Sequence, residues 1–335
     1  MVEQDKKSFL YATFLSLAFV SIPWVILLDG PFYFSDQFTT IEKFTRIQYS
    51  EKFSLDYFLS EKLYNLIYVK IIKLISFFRE DIITVKIFQP GDPNYNISRN
   101  SELAFYTISY FCTFIWIIFL QKNKIPIMII AIYLIHPFAI DVSHSIIQNA
   151  LSFSFILIGL MTNNKFIKSI FYLLSPLIHN SAILVLIIIF VNKYVIQRSE
   201  SKNILIGISL IVVLGLSFCV FFLDTMIASN EITIGKKLAR ENLISPTKLI
   251  FFVILLAMQM MSSLNYLKHN LLMFQIIMIT AILSAVNPHV FRYIICLYPL
   301  ILVSIWNLTS DKKYLTILFW LINLVFIYLG WSGNF

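Results

Sequence analysis

A single histidine interrupts an otherwise apolar run, FYLLSPLIHNSAILVLIIIF, which spans residues 171–190. His179 is followed by Asn180 and Ser181, so an ionisable ring lies beside two hydrogen-bonding side chains. An ionisable group at membrane depth costs about 3 kcal/mol on insertion scales, and such groups mark functional sites by default. An imidazole also gains or loses its proton near neutral pH. His179 is therefore a candidate for catalysis, and hydrogen bonding between helices is the alternative role.

The composition of the sequence predicts that the chain is embedded in a membrane. Of 335 residues, 59% are hydrophobic and only 13% are charged, and the mean hydropathy is +0.80. A water-soluble core does not hide that much apolar surface. Continuous apolar runs near the roughly 20 residues that cross a bilayer occupy 9–28, 103–120, 125–141, 146–162, 203–223, 248–267, 270–286, 289–308 and 314–331. We expect an all-α polytopic membrane protein without a soluble domain, whose first run is a retained helix.

Composition and motifs also exclude several classes of function. The formal net charge of +8 suits basic cytoplasmic loops and does not argue for nucleic acid as a partner. No G-x-x-x-x-G-K or G-x-G-x-x-G phosphate loop is present, so an ATP-driven machine is not expected. Cys112, Cys219 and Cys296 lack the paired spacing of metal or redox sites. No carboxylate cluster suggests a divalent ion, so we expect a site without metal or cofactor.

Loop charges predict where the chain turns. If it turns at His179, one side of the membrane holds the basic residues Lys122, Lys124, Lys165, Lys168, Lys193, Arg198, Lys202, Lys268, Lys312 and Lys313. The positive-inside rule makes that side cytoplasmic, which gives about eleven membrane segments with the N-terminus inside. A helix over 166–178 rises only about 20 Å, less than the roughly 30 Å hydrocarbon core. We therefore expect two short helices to meet at His179 in an outward-facing cavity.

Two outer segments are long enough to carry functional residues. The larger, 29–102, contains an amphipathic stretch at 61–78 with a turn-rich part at 88–100 after it. We expect the stretch to be an interfacial helix. Its predicted apolar face consists of Leu63, Leu66, Ile67, Ile71, Leu74, Ile75 and Phe78. The second outer loop, 224–247, carries Lys236, Lys237 and Arg240, which either bind an anion or belong to a solvated hairpin.

Arg292 is the only basic residue in the predicted short outer loops. A guanidinium offers a fixed fork of donors to phosphate oxygens, whereas an arginine near a helix end can also reach lipid head groups. His289 lies three residues before it and can serve the same site or end a helix. His136 and His144 flank another short outer loop, where we expect interfacial polar caps rather than ligands.

Several short motifs resemble the EpsG-like, Wzy-type family of bacterial polysaccharide polymerases. Gln148-Asn149-Ala150 occupies one family element, and His179 with Ser181 and Ala182 occupies the next, after a short lysine-bearing loop. Asp36 in DQFTTIEKF is similar to the acidic residue of the family's first outer loop, and Arg292-Tyr293 to its late Arg-Tyr helix. Ile147 stands where the family usually has arginine.

The resemblance implies a GT-C-like glycosyltransferase in the bacterial inner membrane. Such an enzyme moves a growing glycan from undecaprenyl diphosphate to the next lipid-linked repeat unit, making O-antigen, capsule or exopolysaccharide. Its implied partners are the lipid-linked oligosaccharide, membrane lipid, a flippase and a chain-length regulator. The expected catalytic residues are His179 and Arg292. The expected substrate-binding residues are Gln148, Asp36, Tyr293, His289, Lys236, Lys237 and Arg240.

Other classes of membrane protein remain as alternatives. A flippase or secondary transporter of lipid-linked oligosaccharide is expected to have two comparable halves with interrupted helices in matching places. Only one interruption, at His179, is expected from the sequence. A different membrane glycosyltransferase or an O-antigen ligase is a further alternative.

Overall fold

The computed structural model describes residues 2–22, 35–49, 63–86, 95–144, 147–198, 201–228, 246–286, 295–311 and 313–331. These residues are mostly helical, which confirms the all-α fold class, and they include one small two-stranded sheet. The chain divides into two compact units, Met1–Ala182 and Ile183–Phe335.

In the first unit, a bundle of helices is joined to a hairpin. Its elements in chain order are α1 (Val2–Ser21), α2 (Ser35–Tyr49), α3 (Leu63–Phe78), β1 (Ile83–Lys86), β2 (Tyr95–Ser98), α4 (Arg99–Lys122), α5 (Ile127–Leu134), α6 (Pro137–His144), α7 (Ile147–Met161) and α8 (Lys165–Ile178). Helix α4 packs against α1, α3 and α7. On the α7 side, Trp116 Nε1 donates to Ser154 Oγ at 3.1 Å inside the core.

The second unit consists of apolar helices joined by buried polar contacts. Its elements are α9 (Ser181–Arg198), whose first two residues belong to the first unit, α10 (Lys202–Ala228), α11 (Pro246–Met260), α12 (Leu264–His269), α13 (Leu271–Val286), a 3₁₀ turn (Ile295–Leu297), α14 (Tyr298–Asp311) and α15 (Lys313–Trp331). Gln275 Nε2 on α13 donates to Ser209 Oγ on α10 at 3.1 Å. Tyr298 OH on α14 donates to Asn323 Oδ1 on α15. Such bonds commonly join helices that have little polar surface.

Within the described residues, α4 is the one helix whose length and composition suffice to cross a membrane. Its 24 residues rise about 36 Å, more than the roughly 30 Å hydrocarbon core. Shorter apolar helices accompany it in both units. The count of eleven membrane segments stays a prediction.

Two of the predicted apolar runs are each divided into two helices. The run 125–141 breaks before Pro137, because the residue preceding a proline is disfavoured in the helical region while proline itself suits a first helical position. The run 248–267 breaks before α12, whose first turn is capped by Ser263 Oγ accepting from Tyr266 N at 3.2 Å. The expectation of a single interruption is therefore wrong, since each unit contains one of these breaks.

The hairpin was missed in the sequence. The stretch 88–100, expected to be turns, supplies strand β2 and the first residues of α4, while its residues 88–94 lie outside the described part. Strand β2 pairs antiparallel with β1, so that Ile83 lies opposite Ser98 and Val85 opposite Asn96. Strands of four residues contain too few alternations to be separated from loops by their hydrophobic pattern.

The helix expected at 61–78 is present from Leu63 onwards, and its place at a membrane interface stays a prediction. The protein-facing side consists of Tyr64, Asn65, Tyr68, Val69 and Ile72. Tyr68 stacks on Phe44 of α2 at 3.9 Å between ring centroids, and its hydroxyl donates to Ser101 O at 2.6 Å. The aliphatic stripe read from the sequence is left half-buried or exposed. The ring of Tyr68 packs inside, and its hydroxyl finds a partner there.

Candidate functional site

The candidate site is built on the antiparallel pair α7 and α8. Helix α8 starts where Asn164 Oδ1 accepts from the backbone N–H groups of Phe166 and Ile167, at 2.9 and 3.2 Å. The rings of Phe155 and Phe171 meet edge to face at 5.3 Å farther along the pair. Capping and ring packing thus fix how α8 lies against α7.

Gly159 allows the two helices to come close. A Cβ atom at this position would lie 2.3 Å from Cε1 of Tyr172, far inside van der Waals contact. The Tyr172 ring therefore occupies the space over the glycine. The absence of a side chain at Gly159 therefore allows the close spacing of α7 and α8.

Helix α8 ends at the predicted place. Pro176 lacks the N–H that would continue the helical ladder, and three residues later His179 takes an extended conformation with φ −151° and ψ 129°. The His179 N–H donates to Ser175 O at 3.1 Å, and Ser152 Oγ of α7 donates to that same carbonyl at 2.8 Å. Ala182 N then donates to His179 O as α9 begins. The interruption predicted at His179 is confirmed.

The imidazole of His179 belongs to a polar chain of three residues. His179 Nδ1 lies 3.2 Å from the backbone N of Ser181 and 2.7 Å from its Oγ. Ser181 Oγ in turn lies 3.4 Å from Asn149 Oδ1 on α7. Asn149 is buried, whereas His179 and Ser181 are half-buried. We call these residues the His179–Ser181–Asn149 chain.

This geometry favours one position for the hydrogen of the neutral ring. A backbone N–H only donates, so Nδ1 accepts from Ser181 and the hydrogen resides on Nε2. The neutral ring can then donate a hydrogen bond from Nε2. To accept a proton at Nε2, the ring must first move its hydrogen to Nδ1, with Ser181 Oγ accepting it and donating onward to Asn149.

The expected packing partner of His179 was Gln148 or Asn149, and Asn149 is the residue that meets it, through Ser181. Gln148 lies next to Asn149 in α7 and is half-buried. Ser181 and Asn149 were recognised in the motifs but were not predicted as site residues. Their spacing was a usable signal, because a hydrogen-bonding residue two positions after a helix C-cap can reach back to the cap side chain.

Most of the other predicted site residues are in parts of the chain that are not described. Asp36 is the second residue of α2, and its side chain lies outside the described part. The remaining six also lie outside it: Lys236, Lys237, Arg240, His289, Arg292 and Tyr293. A common site formed by these residues and His179 stays a prediction.

The two other histidines of the first unit have local roles. His136 and His144 are both buried, although interfacial positions were expected. The carbonyl of His136 accepts from the N–H groups of Ala139 and Ile140 and so starts α6. His144 Nδ1 lies 2.6 Å from Ser143 Oγ and 3.2 Å from Ile140 O, within its own helix. These contacts are those of structural residues.

A second polar cluster surrounds Asp81 and was missed in the sequence. Its Oδ1 accepts from the N–H groups of Ile82 and Asn100, and its Oδ2 accepts from Gln48 Nε2 and Ser98 Oγ, at 2.6 to 3.1 Å. Ser98 Oγ also accepts from Ser101 N at 3.1 Å as the N-cap of α4. Both carboxylate oxygens thus hold the start of α4 against α2, and the cluster is structural.

The described residues contain no group of three His, Cys, Asp or Glu side chains that could hold a metal ion. No protein-family model, curated protein or solved structure matches the chain. The family resemblance therefore rests on the motifs of the sequence alone.

Proposed function

We propose that this chain is a polytopic membrane glycosyltransferase of the polysaccharide polymerase type. It transfers a growing glycan from undecaprenyl diphosphate to the next lipid-linked repeat unit on the outer face of the membrane. One observation carries the proposal. A half-buried histidine lies between two short apolar helices, and Ser181 holds its ring in a defined orientation. Intramembrane imidazoles with such second contacts are typical of functional sites.

The surfaces of the helices support the membrane part of the proposal. Large apolar side chains are exposed on helices of both units, including Leu10 and Phe14 on α1, Phe166 and Leu173 on α8, Ile211 and Phe218 on α10, and Ile317 and Tyr328 on α15. Soluble monomers rarely expose contiguous apolar patches of more than a few hundred Å². A bilayer covers such surfaces without cost.

The reaction requires little of the protein beyond holding the two substrates in the right position. A hydroxyl oxygen of the incoming sugar attacks the anomeric carbon, and the bond from that carbon to the diphosphate oxygen breaks. The electron pair leaves with undecaprenyl diphosphate, an already activated group, and the proton of the attacking hydroxyl passes to a phosphate oxygen of that departing group. His179 donates from Nε2 to the attacking hydroxyl and orients it. Proton acceptance by His179 is the second possible role, and it requires the other tautomer of the ring.

Arg292 is proposed to neutralise the departing diphosphate. Its bidentate donors match two phosphate oxygens, and positive charge placed where negative charge develops lowers the barrier most in a dry cavity. Gln148, Asp36, Tyr293 and His289 are proposed to hold the sugars and the lipid diphosphate. The basic residues of the second outer loop, Lys236, Lys237 and Arg240, add to the positive potential there.

The test is the surface polysaccharide of a strain that lacks the gene. We expect single repeat units on the surface in place of a ladder of chain lengths. The wild-type gene should restore the ladder, and a well-expressed His179→Ala variant should not. A full ladder in the deletion strain would contradict the proposed activity.

A transporter of lipid-linked oligosaccharide is the second candidate, because of the two divided helices. We count the long apolar segments of each unit and leave the segment 29–102 out of the count. The third segment of the first unit then contains the break before Pro137, and the third segment of the second unit contains the break before α12. Interrupted helices at corresponding positions of two halves are typical of secondary transporters. A transporter predicts a different phenotype, in which the deletion strain has no polysaccharide on its surface at all.

A further inference from the structure

Six large apolar side chains are exposed together on the hairpin and on the end of α3. They are Leu74, Phe77, Phe78, Ile82, Ile83 and Val85, and between 50% and 82% of each is exposed. Phe77 and Phe78 contact one another edge to face at 5.1 Å, yet both remain among the most exposed side chains described. We call this group of six residues the α3–β1 patch.

The patch lies at the start of α4, the helix that is long enough to cross a membrane. The N–H of Arg99 donates to Ile82 O at 3.0 Å, and Asn100 N donates to the carboxylate of Asp81 at 3.1 Å. These bonds join the residues before β1 to the first residues of α4, which follow β2. If α4 crosses a bilayer, the α3–β1 patch therefore lies at the level of the membrane boundary.

Cationic side chains accompany the patch. Lys70 and Lys73 are exposed on the same helix, one turn before Leu74 and Phe77, and Arg79, which is partly exposed, follows Phe78. Glu80 is exposed beside them, whereas the Asp81 carboxylate is engaged in the cap of α4. Aromatic and aliphatic side chains bordered by lysine and arginine are typical of helices that lie in the interface of anionic bilayers.

We propose that the α3–β1 patch docks into the outer leaflet of an anionic bilayer. Phe77, Phe78 and the exposed side of β1 enter the boundary between head groups and acyl chains, and Lys70 and Lys73 contact the phosphates. The inference rests on the proposed membrane orientation of α4. Docking also affects the candidate site, because α3 packs against α8, the helix that ends at His179. Docking fixes the depth of that end of α8 relative to the lipid head groups.

The test places an environment-sensitive fluorophore on single cysteines in the full chain. Cys112, Cys219 and Cys296 are replaced, and the labelled protein is reconstituted into vesicles of phosphatidylethanolamine and phosphatidylglycerol. Phe77→Cys and Val85→Cys report on the patch. Arg46→Cys, on an exposed position of α2, is the aqueous control, and Phe111→Cys, on the surface of α4, reports on the proposed span.

We expect labels at 77, 85 and 111 to emit as in an apolar solvent and to be quenched by brominated lipid, and the label at 46 to emit as in water. Replacing Lys70 and Lys73 with glutamate should shift the label at 77 toward aqueous emission. A label at 77 in water with the label at 111 in lipid would overturn the docking alone. Both labels in water would instead overturn the membrane placement of α4. Apolar emission at 77, together with cross-linking of two copies through the same cysteine in a parallel unlabelled sample, would assign the patch to self-association and overturn lipid docking.

Discussion

The orientation of the His179 ring separates three roles that the residue can have. A proton acceptor needs a free lone pair on Nε2, a hydrogen-bond donor needs a hydrogen there, and a packing residue needs neither. The backbone N–H of Ser181 points at Nδ1, which stabilises the donor form. Because that bond involves the backbone, it survives a change of the Ser181 side chain. Substitutions in the chain of three residues therefore distinguish the roles.

We predict that Ser181→Ala lowers the turnover only about threefold to tenfold, because the backbone donor that sets the tautomer remains. His179→Ala should lower it roughly 100-fold. His179→Gln should retain part of the activity, since an amide N–H can replace the Nε2 donor. Turnover is measured as repeat units joined per minute by purified protein at equal amounts of each variant.

A proton acceptor predicts another order of effects. If Ser181 Oγ and Asn149 hold a hydrogen on Nδ1, Ser181→Ala and Asn149→Ala should each approach the loss of His179→Ala, and His179→Gln should be inactive. If the histidine only packs, His179→Gln should be fully active, and His179→Ala should reduce the amount of folded protein rather than its turnover.

The second prediction for a single residue concerns Arg292 and is argued from the sequence. We expect Arg292→Ala to abolish chain lengthening and Arg292→Lys to restore only part of it, because lysine keeps the charge and loses the bidentate fork. The readout is the ladder of chain lengths at matched protein level. A normal ladder from well-expressed Arg292→Ala would remove the proposed diphosphate role.

At the scale of elements, the spacing of α7 and α8 depends on a missing side chain. Gly159→Ala places a methyl group 2.3 Å from the Tyr172 ring, and we expect it to lower stability by about 1–3 kcal/mol through overpacking. The matched control is Gly215→Ala on α10, where a Cβ meets nothing within 4 Å. That change should be neutral or stabilising, since alanine favours a helix over glycine. The midpoint of thermal unfolding in detergent measures both.

A double variant shows whether the cost arises from the ring. Gly159→Ala combined with Tyr172→Ala should lower the unfolding midpoint by less than the two single changes added together, because the clash disappears with the ring. Additive losses would mean that Gly159 matters for some other reason, such as the path of the backbone in α7.

The Asp81 cluster predicts a second effect on stability. Asp81→Asn replaces one carboxylate oxygen, which accepts two hydrogen bonds, with an amide N–H₂ group. The two groups that donate to this oxygen would then lie against another donor. We expect a loss of about 1–3 kcal/mol. Glu80→Gln, the exposed neighbour, is the control and should change little. Equal midpoints of thermal unfolding for the two variants would show that the cluster does not hold the start of α4.

Prediction from the sequence succeeded where one strong local signal sufficed. Continuous apolar runs predicted most of the helices, and the polar residues at His179 together with the loop charges predicted the end of α8. The hairpin, the Asp81 cluster and the buried face of α3 were missed, because they depend on contacts between distant segments. Tyr68 looks like one aromatic among many until Phe44 and Ser101 are placed beside it.

At the scale of the whole molecule, each unit is held by buried hydrogen bonds between apolar helices. In the first unit Ser152 joins α7 to α8, and in the second Gln259 Nε2 on α11 donates to Ser304 Oγ on α14 at 2.6 Å. Where lipid surrounds helices, apolar burial contributes little to their association. Close packing and hydrogen bonds between the helices then supply most of the stabilisation. We expect Ser152→Ala to weaken the contact of α7 with α8.

The last prediction concerns the proposed direction in which the chain crosses the membrane. A turn at His179 places residues 90 and 238 outside and residue 199 in the cytoplasm, because this arrangement collects the basic loops on one side. Cysteines at 90 and 238, in a chain without other cysteines, should react with an impermeant reagent added to intact cells. A cysteine at 199 should react only after the cells are opened. Labelling at 199 from outside would mean that the helices α8 and α9 cross as one span, and His179 would then lie within the bilayer without an outward cavity.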